Sequence, residues 1–263
     1  MQTDDMNLSK APLLKHLLEL RTRLLYCVSF FALMFGISYF FATDIYHFLQ
    51  QPLIKIFGPD SGRRMIYTGL HEAFFTYLKL AFFSALFFTL PLILIQIWRF
   101  IAPGLYQQEQ RHLSPLFLLT PVLFIMGSAL AFYVVMPLAW EFFISFEAPG
   151  GNDAISVELE AKVSEYLGLV IKLIIAFGLS FELPILLLVM AKAGLVTVKG
   201  LREYRRHAIV GIFLVAALMT PPDLISQIAL GVPVFALYEL SILLIMWTQT
   251  TSSAANKAHT NPL

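Results

Sequence analysis

Cysteine is nearly missing from this 263-residue sequence, and its one instance, Cys27, sits inside an apolar run. A disulfide framework and a thiolate metal site are therefore both excluded. Charge is also scarce. Asp, Glu, Lys and Arg together make up 13 % of the chain, about half the share usual in soluble domains, so there is too little polar surface for a water-soluble protein of this length. No basic block lies outside the loops and the net charge is only +1, which leaves no footprint for a nucleic-acid partner. There is no His-Glu-x-x-His zinc motif and no Gly-rich phosphate loop. The His residues are scattered among loops and helix ends, so no metal cluster forms, and Ser and Lys within the apolar runs make no nucleophile pair. The expectation is a protein without cofactor, metal or catalytic centre. The opening segment Met1–Pro12 is polar and carries Asp4 and Asp5. It reads as neither a cleavable secretory signal nor an Arg-rich transit peptide. The first apolar run is then expected to stay in place, as in a prokaryotic inner-membrane protein.

What the chain has in abundance is hydrocarbon. Hydrophobic residues reach 58 % and the mean hydropathy is +0.75. They fall into six runs, Leu24–Thr43, Ala73–Trp98, Pro115–Trp140, Tyr166–Ala193, Ala208–Thr220 and Leu224–Trp247. Crossing a bilayer takes about 20 mostly apolar residues, because a rise of about 1.5 Å per residue must cover about 30 Å. Four runs meet that length. The fifth is short, and the sixth suffices only if it begins soon after Pro222. Backbone amides in hydrocarbon must be bonded internally, so the runs are predicted to be helices. The fold class is an all-α membrane protein with six transmembrane helices, the fifth and sixth short. It forms a single membrane domain over 1–263, with an N-terminal cytoplasmic amphipathic helix in 1–23, a bundle over 24–247 and a disordered cytoplasmic tail at 248–263.

Loop charge orients it. With the N-terminus cytoplasmic, segments 1–23, 98–114, 192–207 and 248–263 hold twelve Lys and Arg, against four in 44–72, 141–165 and 221–223. The positive-inside rule then places both termini in the cytoplasm. The two outer loops of about 25 residues are long enough for short helices or a cap. The third outer connection is only the turn Thr220-Pro221-Pro222-Asp223. Proline lacks the amide that would continue one helix and Asp223 can accept from the free N–H groups that open the next. A short hairpin is predicted there.

Three places carry polar chemistry. Ser9 to Leu25 reads as an amphipathic helix, with Leu13, Leu17, Leu20 and Leu24 on one face and His16, Glu19 and Arg23 on the other. On spacing alone it lies at the interface, with Glu19 paired to Lys15 and Arg23. The loop from Trp98 to Arg111 begins apolar and aromatic, breaks at Pro103-Gly104 and carries Glu109. On its own, that glutamate would be read as solvated. Glu182 lies well inside the fourth run, two residues before Pro184. An ionised carboxylate at the bilayer centre costs about 3 kcal/mol on insertion scales, so such a residue faces a cavity, meets a partner or stays protonated. Lys79, Lys172 and Glu239 are weaker cases, the two lysines being able to snorkel.

These residues resemble a known family. His16-Leu17-Leu18-Glu19-Leu20-Arg21, Phe100 through Tyr106 with Pro103 and Leu105, followed by Glu109, Phe177-Gly178 through Glu182-Leu183-Pro184, and Thr220-Pro221-Pro222-Asp223 with Gln227 occur in the order found in TatC, the multispanning receptor of the twin-arginine protein translocase. The resemblance covers about residues 13–247. It implies a glove-shaped bundle whose concave face contains Glu182. Binding of twin-arginine signal peptides on folded cargo is implied at Glu19, Arg21, Pro103, Leu105, Tyr106 and Glu109. It also implies assembly with the single-span subunits TatA and TatB through Thr220 and Gln227, association with further copies of itself among membrane lipids, and transport driven by the proton gradient. One position departs from the family pattern, since Ala217 stands where a Met is expected one turn before Thr220. The competing readings are a proton-coupled small-solute transporter using Glu182, a class that favours repeated halves not evident here, and a purely structural subunit.

Overall fold

The computed structural model describes residues 3–58, 63–101, 119–148, 155–220 and 223–259. Their order is α1 (Thr3–Phe40), α2 (Ala42–Phe57), α3 (Glu72–Ile101), α4 (Leu119–Leu130), a π-helical turn (Ala131–Val135), α5 (Met136–Ile144), α6 (Val163–Ser180), α7 (Leu183–Lys192), α8 (Val198–Glu203), α9 (Arg205–Met219) and α10 (Leu224–His259). Among the described residues, extended pairing is limited to the isolated bridges Ile66–Lys162 and Ala148–Val157. This is an all-helical membrane protein.

Five stretches are long and apolar enough to cross a bilayer: His16–Phe40, Glu72–Phe100, Leu119–Ile144, Val163–Lys192 and Leu224–Thr248. They coincide with five of the six sequence runs to within a few residues, except that the first begins earlier because α1 is continuous from Thr3. The remaining run corresponds to α9, whose 15 residues rise roughly 22 Å, short of the bilayer core. At the far end α10 continues to His259, past residue 247 where the bundle was expected to end.

Cα proximity divides the chain into two compact units, one drawn from Met1–Tyr46 and Tyr77–Leu118, the other from His47–Thr76 and Leu119–Leu263. In the first, α1 and α3 run antiparallel, with Arg23 meeting Gln96 and Phe31 edge-on to Phe82 at 5.2 Å, and Tyr46 in the first turns of α2 lies beside Tyr77 of α3. In the second, α4 packs most extensively on α6, and α10 packs on α7 and α9. Small residues set the first of these crossings. A Cβ on Gly178 would lie 2.6 Å from the Phe124 ring and 2.7 Å from Ser128 Oγ, and one on Gly127 would run into the Phe177 carbonyl. Helices in lipid gain little from burying apolar groups against each other, so close backbone approach and interhelical hydrogen bonds hold them. Ser128 Oγ accordingly donates to the Ile174 carbonyl at 3.2 Å.

Two membrane helices are interrupted, each at a proline. Pro137 follows the π turn, where the Met136 N–H reaches back five residues to Ala131, a widening that accommodates the missing amide. Pro184 cannot donate to the Ser180 carbonyl, and α6 gives way to α7 through Phe181-Glu182, with the Glu182 N–H bonded to Leu179 O at 3.1 Å.

The long connections of the second unit are tied together. Arg63 gives two bonds to Glu147, each of 2.7 Å, and stacks over Phe57 at 4.6 Å. Glu147 also accepts from the Leu159 N–H at 2.9 Å. Glu72 opens α3 by accepting from the N–H groups of Thr68 and Gly69 and from Ser164 Oγ at 2.6 Å. Ile66 bonds through its backbone to Ala161 and Val163.

Candidate functional site

The expected sites fall at three places along the helices. At the first, α1 presents His16, Glu19 and Arg23 on one side, and this polar side faces α3. His16 stacks on Phe100 at 4.1 Å. Arg23 donates to Glu19 Oε1 through Nη2 at 2.6 Å and Nε at 3.1 Å, and to Gln96 Oε1 at 2.7 Å. The pairing of Glu19 with Arg23 is as the spacing indicated. The orientation differs from an interfacial helix with its polar face in water, because Leu17, Leu20 and Leu24 are the exposed side. In a bilayer that arrangement is favourable, since lipid takes the leucines while the polar groups find partners on α3. Glu19 keeps 38 % of its side chain accessible, and Arg21 is exposed. Pro103, Leu105, Tyr106 and Glu109 lie outside the described residues.

The second place is the α6–α7 junction. Glu182 is only 5 % exposed. Its polar neighbour is the Thr120 hydroxyl of α4, yet neither group completes a hydrogen bond of good geometry among the described residues. The junction is held in position by the Gly127–Gly178 crossing, which seats Phe181 against Gly127. Thr120 was not singled out in the sequence, although a threonine beside a proline within an apolar run is a usable signal.

The third is the α9–α10 hairpin. Asp223 Oδ1 accepts from the Ser226 N–H at 2.6 Å and so caps α10, as the turn chemistry predicts. Thr220 ends α9 and its hydroxyl donates to Ala216 O at 2.9 Å. Gln227 reaches across to the Phe213 carbonyl at 3.2 Å, and Gly231 makes room for the Phe213 ring. Pro221 and Pro222 lie outside the described residues. Glu239 is paired with Arg205 at 2.6 Å, and Lys79 and Lys172 are exposed. No group of three or more metal-ligating side chains occurs among the described residues.

Four ordered motifs on an all-helical membrane fold narrow the choice, and comparison with known proteins decides it. The model of the family described as Sec-independent protein translocase protein (TatC) matches residues 15–233. The chain belongs to the TatC family. The TatC of Magnetococcus marinus is 48 % identical over 233 residues, which are 89 % of this chain and 83 % of that protein. The TatC of Escherichia coli strain K12 is 40 % identical over 231 residues, 88 % of this chain and 86 % of its own length. A crystal structure of the twin-arginine translocase receptor TatC aligns with a TM-score of 0.73 at 34 % identity, covering 89 % of this chain and 99 % of the solved one. As a TatC-family protein, the chain is a multi-pass component of a bacterial protein translocase, a transport function rather than catalysis, and it works in a complex with other Tat subunits. Family membership favours this reading over a small-solute transporter.

Proposed function

We propose that this TatC-family chain is the receptor that binds twin-arginine signal peptides of folded proteins and nucleates an export complex driven by the proton gradient. It acts in the bacterial inner membrane with both termini cytoplasmic, and α9 supplies a sixth, short span. TatA and TatB dock near Thr220 and Gln227. The observation that carries the reading is Glu19, a carboxylate held at the end of the α1–α3 pair by an arginine that is itself anchored to Gln96. A carboxylate has about four lone-pair sites and can accept from more than one guanidinium. A guanidinium presents a planar fork that a carboxylate receives through two bonds, and an ammonium cannot reproduce it. Glu19 and Glu109 together match the two arginines of a signal peptide. Each charged hydrogen bond contributes about 1.5–3 kcal/mol, less where water and salt reach it, which suits a receptor that must release its cargo.

The test is binding of a twin-arginine precursor and its lysine–lysine variant to membranes carrying Glu19→Ala, Glu109→Ala or both. The expected result is weaker binding in each mutant and lost discrimination in the double mutant, with normal membrane insertion. Undiminished affinity and discrimination in the double mutant would overturn the assignment.

A further inference from the structure

Between Lys192 and His207 the chain carries five Lys and Arg residues and one acid, Glu203. One of the five is spent internally, since Arg205 pairs with Glu239. Lys199, Arg202 and Arg206 are exposed. The helical path continues from α8 into α9, because the Tyr204 N–H bonds to Gly200 O and the Ala208 N–H to Tyr204 O, both at 2.9 Å. Spacings of three and four therefore put Lys199, Arg202 and Arg206 on one side, with the exposed Glu203 at its margin, so three cations stand there against one acid. α8 itself lies against the end of a membrane span: Tyr238 donates to the carbonyl of the buried Leu201 at 2.6 Å, and Arg202 reaches Met246 Sδ at 2.9 Å, two residues before the apolar stretch Leu224–Thr248 ends. Tyr204 and Trp247, both well exposed, are the residue types that settle at headgroup depth.

The same side changes character along α9. Val210 and Leu214, four and eight residues beyond Arg206, are 69 % and 63 % exposed. A cationic patch that passes directly into an open aliphatic strip matches a molecule with an anionic head and a hydrocarbon tail. We propose that this face binds an anionic phospholipid, with its phosphate on Lys199, Arg202 and Arg206 and its acyl chain along Val210 and Leu214. An acidic protein segment would complement only the first half of the strip. The site requires only that α8 lie at a membrane surface, so it stands whichever way the chain is oriented.

Native mass spectrometry of the full chain, exchanged from detergent into mixtures of phosphatidylglycerol and phosphatidylcholine, tests the proposal. The wild type should retain phosphatidylglycerol preferentially. Each of Lys199→Gln, Arg202→Gln and Arg206→Gln should lower that retention roughly fivefold, the worth of one basic residue near an anionic surface. Val210→Ser with Leu214→Ser should lower retention with no change of charge. Lys79→Gln with Lys172→Gln should leave the preference intact. The proposal is overturned if the triple Gln variant keeps the wild-type preference, or if the Lys79 and Lys172 control loses it equally. It is also overturned if inorganic phosphate at the lipid's concentration displaces the lipid, which marks a free-anion site. Capture of polyglutamate without any lipid preference would assign the face to an acidic protein and likewise refute it.

Discussion

Glu182 is a single residue whose burial follows from a helix interruption. Pro184 removes an amide, the span bends into two helices, and the residue at the bend is an acid that stays buried in apolar surroundings. A polar group in that position carries a desolvation cost unless it is hydrogen-bonded. Thr120 alone does not satisfy the two carboxyl oxygens, so a polar group brought by a partner helix or by cargo would find a receptive acid. Glu182→Gln keeps a donor and an acceptor in the same volume, whereas Glu182→Ala deprives any buried partner of its bond at a cost of about 1–3 kcal/mol. Gln is expected to retain substantial transport of a twin-arginine precursor and Ala to lose much of it, with signal-peptide binding nearly intact in both. Equal inactivity of the two variants in a transport assay would point instead to a need for ionisation or proton transfer.

At the scale of the elements, the α4–α6 crossing is what fixes the height of that acid. Gly178→Ala places a methyl group against Phe124 and Ser128 at distances that real side chains do not adopt, so either the helices separate or the ring moves. Overpacking of this kind costs about 1–3 kcal/mol. Gly36→Ala in α1 meets nothing within 4 Å and serves as the neutral control. Thermal unfolding of both variants in the same detergent should show a clear loss for Gly178→Ala and none for Gly36→Ala. Some of this architecture is legible in the sequence. Length and hydropathy locate the membrane helices, and the Pro-Pro-Asp turn announces the cap at Asp223, because each of these is a local property. The fourth run reads as one span, and its break beside Glu182 appears only in the structure. The direction of an amphipathic face is not local. The leucine stripe of α1 looks like a buried face by the rules of water, yet the polar stripe of His16, Glu19 and Arg23 is the one that packs. Nor does composition reveal that Gly127 opposes Gly178, since a glycine in an apolar run carries no record of which helix it meets.

Across the whole molecule, helices that gain little from mutual apolar burial depend on their connections for register. The ties among the segments preceding α3 and α6 supply part of this through Arg63, Glu147, Glu72 and backbone bonds, partners separated by dozens of residues and therefore invisible to spacing arguments. The Arg63 guanidinium and the Leu159 N–H hold the Glu147 carboxyl below the usual carboxylate range. A carboxylate whose folded-state pKa is depressed adds stability that is fully present above its unfolded pKa, about 4.3, and is lost as pH falls through the lower folded value. Arg63 keeps its charge throughout, so only the glutamate titrates within this pair. The connection 155–162 should accordingly be closed at neutral pH and loosen in acid below about pH 4. Glu147→Gln keeps the shape but loses the charge, so it should expose the Leu159 and Val157 amides to hydrogen exchange already at neutral pH and flatten the acid response. Measured by hydrogen–deuterium exchange of the protein in nanodiscs, equal protection of these amides in wild type and Glu147→Gln at neutral pH would show that the backbone bridges Ala148–Val157 and Ile66–Lys162 hold the segment without the ion pair.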